Sequence, residues 1–363
     1  MTEISYDTIG PEKFIELYDP KTKMRGLICL DSTRRGPAKG GVRMGPDVTK
    51  EEIFRLARTM TLKCAMANLP FGGGKSGIIA DPKKLSKKQK KELVYAYGHM
   101  IRNIAPSEYI SAPDMYMAEE EMRWIVQANG NKKCVTGKPK DLGGIPHELG
   151  STGFGVSHAA LVALKYLKKD VKNITFAVEG FGNVGEFAAK FLCEAGAKLV
   201  AVSDSQGVLV HLEGIDFSRL KKVKKMKGSV TKYGAGKVFP SKNILDVHCD
   251  MLVTAAVKDL VMEKDVKRLK CKLVVEGSNI PMSHDVEEQL HNRGILVVTD
   301  FVANAGGVIS SYVEYKGGTV NEMWKLVEKK VVKNTKLVLS KVTRSQCPRC
   351  VANTIAVDRV LKR

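Results

Sequence analysis

The sequence predicts an α/β protein of two domains, the second built on a parallel sheet covered by helices on both faces. Three observations predict it. The chain has 363 residues, more than a single domain usually holds. From about residue 150, short apolar runs alternate with helical segments, the pattern of parallel strands buried on both sides. One of those runs leads directly into a Gly-rich turn and a helix. Composition agrees: 44% apolar and 27% charged residues exclude a disordered or collagen-like chain.

No apolar run approaches the roughly 18 residues of a membrane span. Met1–Asp7 lacks the basic-then-apolar pattern of a secretory signal. Eight cysteines are too few for a disulfide scaffold and point to reduced thiols in a cytoplasmic compartment. Lys and Arg number 59 against 39 Asp and Glu, a formal charge of +20. The lysines lie in helical runs such as 83–91 and 221–227 with few aromatics between them, which reads as a solvated surface; no nucleic-acid partner is expected.

In the first domain, Thr49-Lys-Glu-Glu52 is a capping box that opens a helix with Ile53, Leu56, Ala57, Met60 and Cys64 on its apolar stripe. Lys63 shares that stripe, so it must snorkel to an edge or meet an anion. Next come Gly72-Gly-Gly-Lys75 and then Ile78-Ile79, which reads as strand. Three glycines clear bulk from around the Lys75 ammonium. Burial or a nearby cation would lower its pKa and fit it to act on a carbonyl or to activate water. A phosphate loop would need Walker spacing and a helix after it, and neither is present. Lys39-Gly-Gly-Val-Arg43 is a further basic, Gly-rich cluster, and Asp114 follows Ser111-Ala-Pro113. Alone, Asp114 reads as a turn residue. Together these residues suggest a site for a small carboxylic acid, with one lysine and one carboxylate left for proton transfer.

In the second domain the apolar runs are Ile174–Val178, Leu199–Ser203, Met251–Ala256, Leu273–Glu276 and Ile295–Thr299. The motif Gly180-Phe-Gly182-Asn-Val-Gly185 follows the first of them. A helix then runs to Gly196, and the next strand ends in Asp204, 19 residues after Gly185. That is the context of a Rossmann-type dinucleotide site. Gly180 makes the tight turn, Gly182 lets the backbone approach the pyrophosphate, and Gly185 lets helix and strand pack closely. Asp204 is placed to accept from the adenosine ribose. A carboxylate there suits NAD, while Ser203 and Ser205 beside it suit a phosphate, so NAD or NADP both remain as cofactor. The last 40 residues read as helix, with Trp324, Leu326, Val327, Val331 and Val332 among lysines. The expected domains are 1–147, rejoined by C-terminal helices 325–363 that pack back on it, and 148–324.

At this point the chain resembles the glutamate/leucine/phenylalanine/valine dehydrogenase superfamily, and glutamate dehydrogenases most. The matching pieces are Lys39-Gly-Gly-Val-Arg43, Met60-Thr-Leu-Lys63, Pro70-Phe-Gly-Gly-Gly-Lys75, Ala112-Pro-Asp114, Thr136-Gly-Lys-Pro139, Ser151-Thr-Gly153, the Gly180–Gly185 turn, Glu276-Gly-Ser-Asn279 and Ala303-Asn-Ala-Gly-Gly-Val308. The resemblance implies a substrate-binding and oligomerisation domain followed by a Rossmann domain. It implies Lys75 and Asp114 as the catalytic pair and Lys63 on the substrate's α-carboxylate. Lys39 and Ser311 would read a γ-carboxylate, with Ala112 and Val308 lining the pocket. Thr152, Asn183, Val184, Asn279 and Asn304 would lie near the cofactor. It also implies glutamate, 2-oxoglutarate and ammonium as small-molecule partners and a homo-oligomer, a hexamer. Enzymes for apolar amino acids carry leucine in place of Lys39; such an enzyme, or a non-catalytic nicotinamide-binding regulator, is the alternative. Ser76 stands where glutamate enzymes have glycine, and Ser151 where alanine is usual. Cys347-Pro-Arg-Cys350 lies outside the pattern. With no second ligand pair visible it reads as two thiols at a helix end, and no metal is expected.

Overall fold

The computed structural model describes residues 4–362. They divide into two compact units. The first takes the chain up to His147, Val308–Met323 and the residues from Thr354 on; the second takes Glu148–Gly307 and Trp324–Asn353.

The first unit begins with strands β1 (Lys13–Asp19), β2 (Met24–Ser32) and β3 (Ala38–Gly45). Helix α1 (Lys50–Met66), strand β4 (Gly72–Ile79), helix α2 (Lys87–Met100), strand β5 (Tyr109–Ala112) and helix α3 (Glu119–Asn129) follow. The strands form one sheet in the order β1-β2-β4-β3-β5. β1, β2 and β4 pair antiparallel, while β3 runs parallel to both β4 and β5.

The Gly72–Gly74 run is itself strand, not a turn in front of one. A Cβ on Gly73 would lie 2.1 Å from the backbone nitrogen of Thr61, so α1 rests directly on the strand there. The glycines thus set the helix–sheet distance, and Ile53 and Ala57 of α1 bury against Leu27 and Cys29 of β2. α1 starts at Thr49, whose hydroxyl accepts from the Glu52 N–H at 3.2 Å. The reciprocal half of the expected capping box gives way to an ion pair between Glu52 and Arg43.

The second unit contains α4 (Ser151–Tyr166), β6 (Thr175–Glu179), α5 (Asn183–Glu194), β7 (Lys198–Asp204), β8 (Gly207–Val210), α6 (Phe217–Lys227), β9 (Lys237–Phe239), β10 (Met251–Thr254), β11 (Leu273–Glu276), α7 (His284–Asn292), β12 (Leu296–Val298) and the short α8 (Asp300–Ala303). Its sheet runs β12-β11-β10-β6-β7-β8-β9. The five apolar runs are the parallel strands, and β8 and β9 add an antiparallel ribbon at one edge. Strand order reverses between β6 and β10, the switch point where doubly wound sheets bind ligands at their carboxyl ends.

Helices α9 (Gly306–Tyr315), α10 (Val320–Leu339) and α11 (Pro348–Leu361) complete the chain. Its return is divided between the units, whereas the sequence reading takes 325–363 as one block. Trp324 explains part of the division. It packs edge-on against Phe154 of α4 at 4.7 Å and Phe191 of α5 at 6.1 Å, which ties the start of 324–353 to the second unit.

Candidate functional site

Strand alternation builds the centre of the first site. Lys39, Gly41 and Arg43 project to one face of β3. The missing side chain at Gly41 leaves a gap in that row: a Cβ there would lie 2.9 Å from Asp114 Cβ and 3.1 Å from Lys75 Nζ. Lys75, from β4, and Asp114, from the turn after β5, fill the space and form an ion pair. Arg43 Nε reaches the same Asp114 oxygen at 3.0 Å. The clearing around the Lys75 ammonium is therefore made by Gly41 rather than by the glycines that precede Lys75 in sequence.

Burial pulls the Lys75 ammonium below its ordinary pKa, although Asp114 opposes the shift. Burial alone would raise Asp114; the ammonium of Lys75 and the guanidinium of Arg43 outweigh it and hold the carboxyl below its usual range. Lys39 is 2% exposed, and its Nζ donates only a long bond, 3.5 Å, to the Ser111 carbonyl. Among the described residues no carboxylate lies within ion-pairing distance of it. Burial brings Lys39 down to about 8.

The remaining substrate candidates fall in the same unit. Lys63 lies in the last turn of α1 and is half-buried. Ala112 ends β5 and is half-buried; Val308 is buried near the start of α9. Ser311 lies one turn before Glu314 on α9, and Glu314 anchors that helix. Its carboxylate accepts from Lys138 Nζ at 2.5 Å and from the N–H groups of Gly137, Lys138 and Ile145 at 3.0, 3.3 and 3.1 Å. Sequence reasoning gave Lys138 and Glu314 no role, because partners 176 residues apart leave no local signal. Arg43 was legible: it follows Lys39 by four residues on the same strand face. Ser76 points to the opposite face from Lys75, where its hydroxyl meets those of Tyr97 at 2.8 Å and Tyr109 at 3.0 Å.

The second site follows the turn after β6. Gly180 has φ +88, a conformation other residues resist. A Cβ on Gly185 would lie 1.8 Å from the Gly180 carbonyl oxygen, so close packing requires that glycine. A Cβ on Gly182 would meet nothing within 4 Å. Packing leaves the backbone bare there, at the N-terminus of α5, which fits the approach of a pyrophosphate. Val184 packs on Gly277, a Cβ on which would lie 3.0 Å from its Cγ1. Asn304 Nδ2 donates to Asn279 Oδ1 at 3.0 Å, and to the carbonyls of Gly277 and Ser278. Its own Oδ1 is buried without a hydrogen-bond partner among the described residues, an acceptor suited to a carboxamide N–H. Thr152 is buried in the first turn of α4, beside Gly307, and Asn183 opens α5. Glu179, at the end of β6, accepts from the N–H groups of Ala255 and Ala256 and fixes the loop after β10. These residues fit a dinucleotide.

Asp204 ends β7, as the spacing predicts, and its carboxylate has partners of its own. Its carboxylate accepts from Lys224 Nζ at 2.8 Å, Val230 N at 2.9 Å, Gln206 N at 2.9 Å and Ser229 Oγ at 3.1 Å, and only 6% of its side chain is exposed. All four partners come from its own unit. The spacing signal was right for the strand end but said nothing of Lys224.

The sequence profile of the Glu/Leu/Phe/Val dehydrogenase dimerisation domain matches residues 11–130, and that of Glutamate/Leucine/Phenylalanine/Valine dehydrogenase matches residues 143–363. The chain belongs to this family. Among relatives, the chain is 40% identical to a glutamate dehydrogenase of Aeropyrum pernix, over 90% of this chain and 82% of that one. It is 38% identical to an NADP-specific glutamate dehydrogenase of Saccharolobus shibatae, over 97% and 89%. Among solved structures, a hetero-hexameric glutamate dehydrogenase of Thermus thermophilus superposes with a TM-score of 0.85 at 28% identity, covering 97% of this chain and 89% of that one. The two-part organisation of the family corresponds to the two sheets described above. No described helix is long and apolar enough to cross a membrane.

Proposed function

We propose that this dehydrogenase catalyses the reversible oxidative deamination of L-glutamate to 2-oxoglutarate and ammonia, with NAD or NADP as hydride carrier. The observation that carries the reading is Lys39. An ammonium 2% exposed, with no carboxylate among the described residues in ion-pairing distance, asks for an anion from the substrate. A γ-carboxylate supplies it; an isobutyl group would leave the charge uncompensated.

In this reading Lys63 holds the α-carboxylate, Lys39 and Ser311 hold the γ-carboxylate, and Ala112 and Val308 line the carbon chain. Asp114, kept ionised by Lys75 and Arg43, takes a proton from the substrate ammonium group. The bound nicotinamide supplies the acceptor for the Cα hydride. Lys75, with its pKa lowered by burial, then accepts a proton from water as the oxygen attacks the substrate iminium carbon; Asp114 returns its proton to the nitrogen, the C–N bond breaks to release ammonia, and the hydroxyl gives up its proton to leave the carbonyl. Gly180, Gly182 and Gly185 cradle the pyrophosphate at α5. Thr152, Asn183, Val184, Asn279 and Asn304 serve the nicotinamide side.

The reading includes a cytoplasmic homo-oligomer, a hexamer. The hexameric Thermus thermophilus relative and the matched dimerisation domain support the assembly, and eight cysteines outside any disulfide suit a reducing compartment. The test is glutamate-dependent growth of the reduced nicotinamide absorbance band with NAD+ or NADP+, with 2-oxoglutarate and ammonia recovered in equal amounts. Absence of turnover with either cofactor overturns it.

A further inference from the structure

Four metal-ligating side chains converge in the second unit. His284 and Glu288 are one turn apart on the same face of α7. Cys347 and Cys350 lie at the start of α11. The ligand atoms of all four lie within 4.8 Å of one another. Cys350 Sγ is 3.8 Å from His284 Nε2 and 3.7 Å from Glu288 Oε1, and those two atoms are 3.3 Å apart. The two sulfurs are 2.8 Å apart. A tetrahedral zinc ion with bonds of about 2.3 Å to sulfur and about 2.0 Å to nitrogen or oxygen holds neighbouring donors roughly 3.3–3.8 Å apart. Three of these four separations fall in that range, and the sulfurs need only spread.

We propose that His284, Glu288, Cys347 and Cys350 form a structural zinc site. Two thiolates, an imidazole and a carboxylate suit a borderline-soft divalent ion, and four protein ligands close the coordination sphere. The surroundings hold the ligands in place. The Cys350 N–H donates to Cys347 Sγ at 3.3 Å and orients that sulfur. Arg349, between the cysteines, is clamped by Glu287 at 2.5 Å, Asp300 at 3.0 Å and Glu276 at 3.1 Å. The carbonyl of Thr343 meets His291 Nε2 at 2.9 Å and docks the preceding turn on α7. Sequence alone shows the Cys-x-x-Cys as an isolated pair of thiols, because its partners lie some 60 residues earlier on another helix. Through Arg349 and Glu276 the metal would also brace the Glu276–Asn279 loop.

The test is zinc content of the full chain purified without chelator. One zinc per chain is expected, retained in the control Cys193→Ser and lost in Cys347→Ser and Cys350→Ser, with His284→Ala holding well under one. If the cysteine variants fail to fold, the wild-type chain is stripped and titrated with Co2+ alone. Thiolate-to-cobalt charge-transfer absorption and the strong visible bands of tetrahedral cobalt are expected, displaced by Zn2+. A metal-free protein whose stripped form gives no such bands, or one with Cys347 and Cys350 joined as a disulfide under reducing purification, overturns the proposal.

Discussion

Lys75 and Asp114 form their ion pair across the side-chain gap at Gly41, with Arg43 on the same carboxylate oxygen. The two cations keep the carboxylate ionised, while burial, against the pull of Asp114, leaves a lysine that loses its proton more easily than a free one. Lys75→Ala and Asp114→Asn should each lower kcat by about 10²–10⁴. Dinucleotide affinity should be unchanged, because those contacts lie in the other unit. Steady-state kinetics with fluorescence titration of NAD(P)H checks both, and a variant with full kcat loses its assigned role.

Gly41→Ala should act on the same pair. Its methyl would push on Asp114 Cβ and Lys75 Nζ together, so kcat should fall about 10²-fold without loss of fold. Near-wild-type kcat with an unchanged pH profile would show that the spacing of the pair is not critical.

Lys39 opposes stability for the sake of its site. Its folded pKa of about 8 lies below the ordinary 10.5. Between these values the unfolded chain binds the proton and the folded one does not, so stability rises with pH across that window. Lys39→Met should therefore stabilise the protein at pH 7, by about 3 kcal/mol at most. The gain should shrink toward pH 10, and activity on 2-oxoglutarate should collapse. Denaturant unfolding of both proteins at the two pH values measures it; a gain independent of pH would rule out the buried charge as its source.

Glu314 joins Lys138 and three backbone N–H groups in a buried cluster. Removing one partner leaves an uncompensated charge, so Glu314→Ala should destabilise by about 3–5 kcal/mol. The pair Lys138→Met with Glu314→Leu should recover part of that loss. A double-mutant cycle decides it, and additive losses would mean the two side chains are not coupled.

Lys224 neutralises Asp204 beside the dinucleotide turn. Lys224→Ala should leave the Asp204 carboxylate without its cation, still held by Val230 N, Gln206 N and Ser229 Oγ, and its charge should repel a 2′-phosphate, so kcat/KM for NADP+ should fall relative to NAD+ by about tenfold. An unchanged ratio would place the cofactor's 2′ position elsewhere.

Much of this was legible in the sequence. The apolar runs announced the parallel strands, and Gly180–Gly185 announced the turn, because both signals are local. The short motifs carrying Lys39, Lys75 and Asp114 stood out, since lysines in apolar or Gly-rich settings are costly without a purpose, and the structure brings Lys75 and Asp114 into an ion pair. What was hidden depends on distant partners. The Lys138–Glu314 pair, the Lys224 cap on Asp204 and the convergence of His284 and Glu288 with Cys347 and Cys350 arise only when segments 20 to 176 residues apart are brought together. The role of Gly73 in seating α1 on β4 stayed hidden, because a spacing role toward a helix leaves no periodicity.

The central claim is that a buried Lys39 reads a γ-carboxylate. The most direct measurement compares ammonium-dependent NADH and NADPH consumption with 2-oxoglutarate and with 4-methyl-2-oxopentanoate. An ammonium left facing an isobutyl group forfeits several kcal/mol, so kcat/KM should favour 2-oxoglutarate by about 10³-fold or more. Equal or better turnover of the branched acid would contradict it, and Lys39 would then have no part in substrate choice.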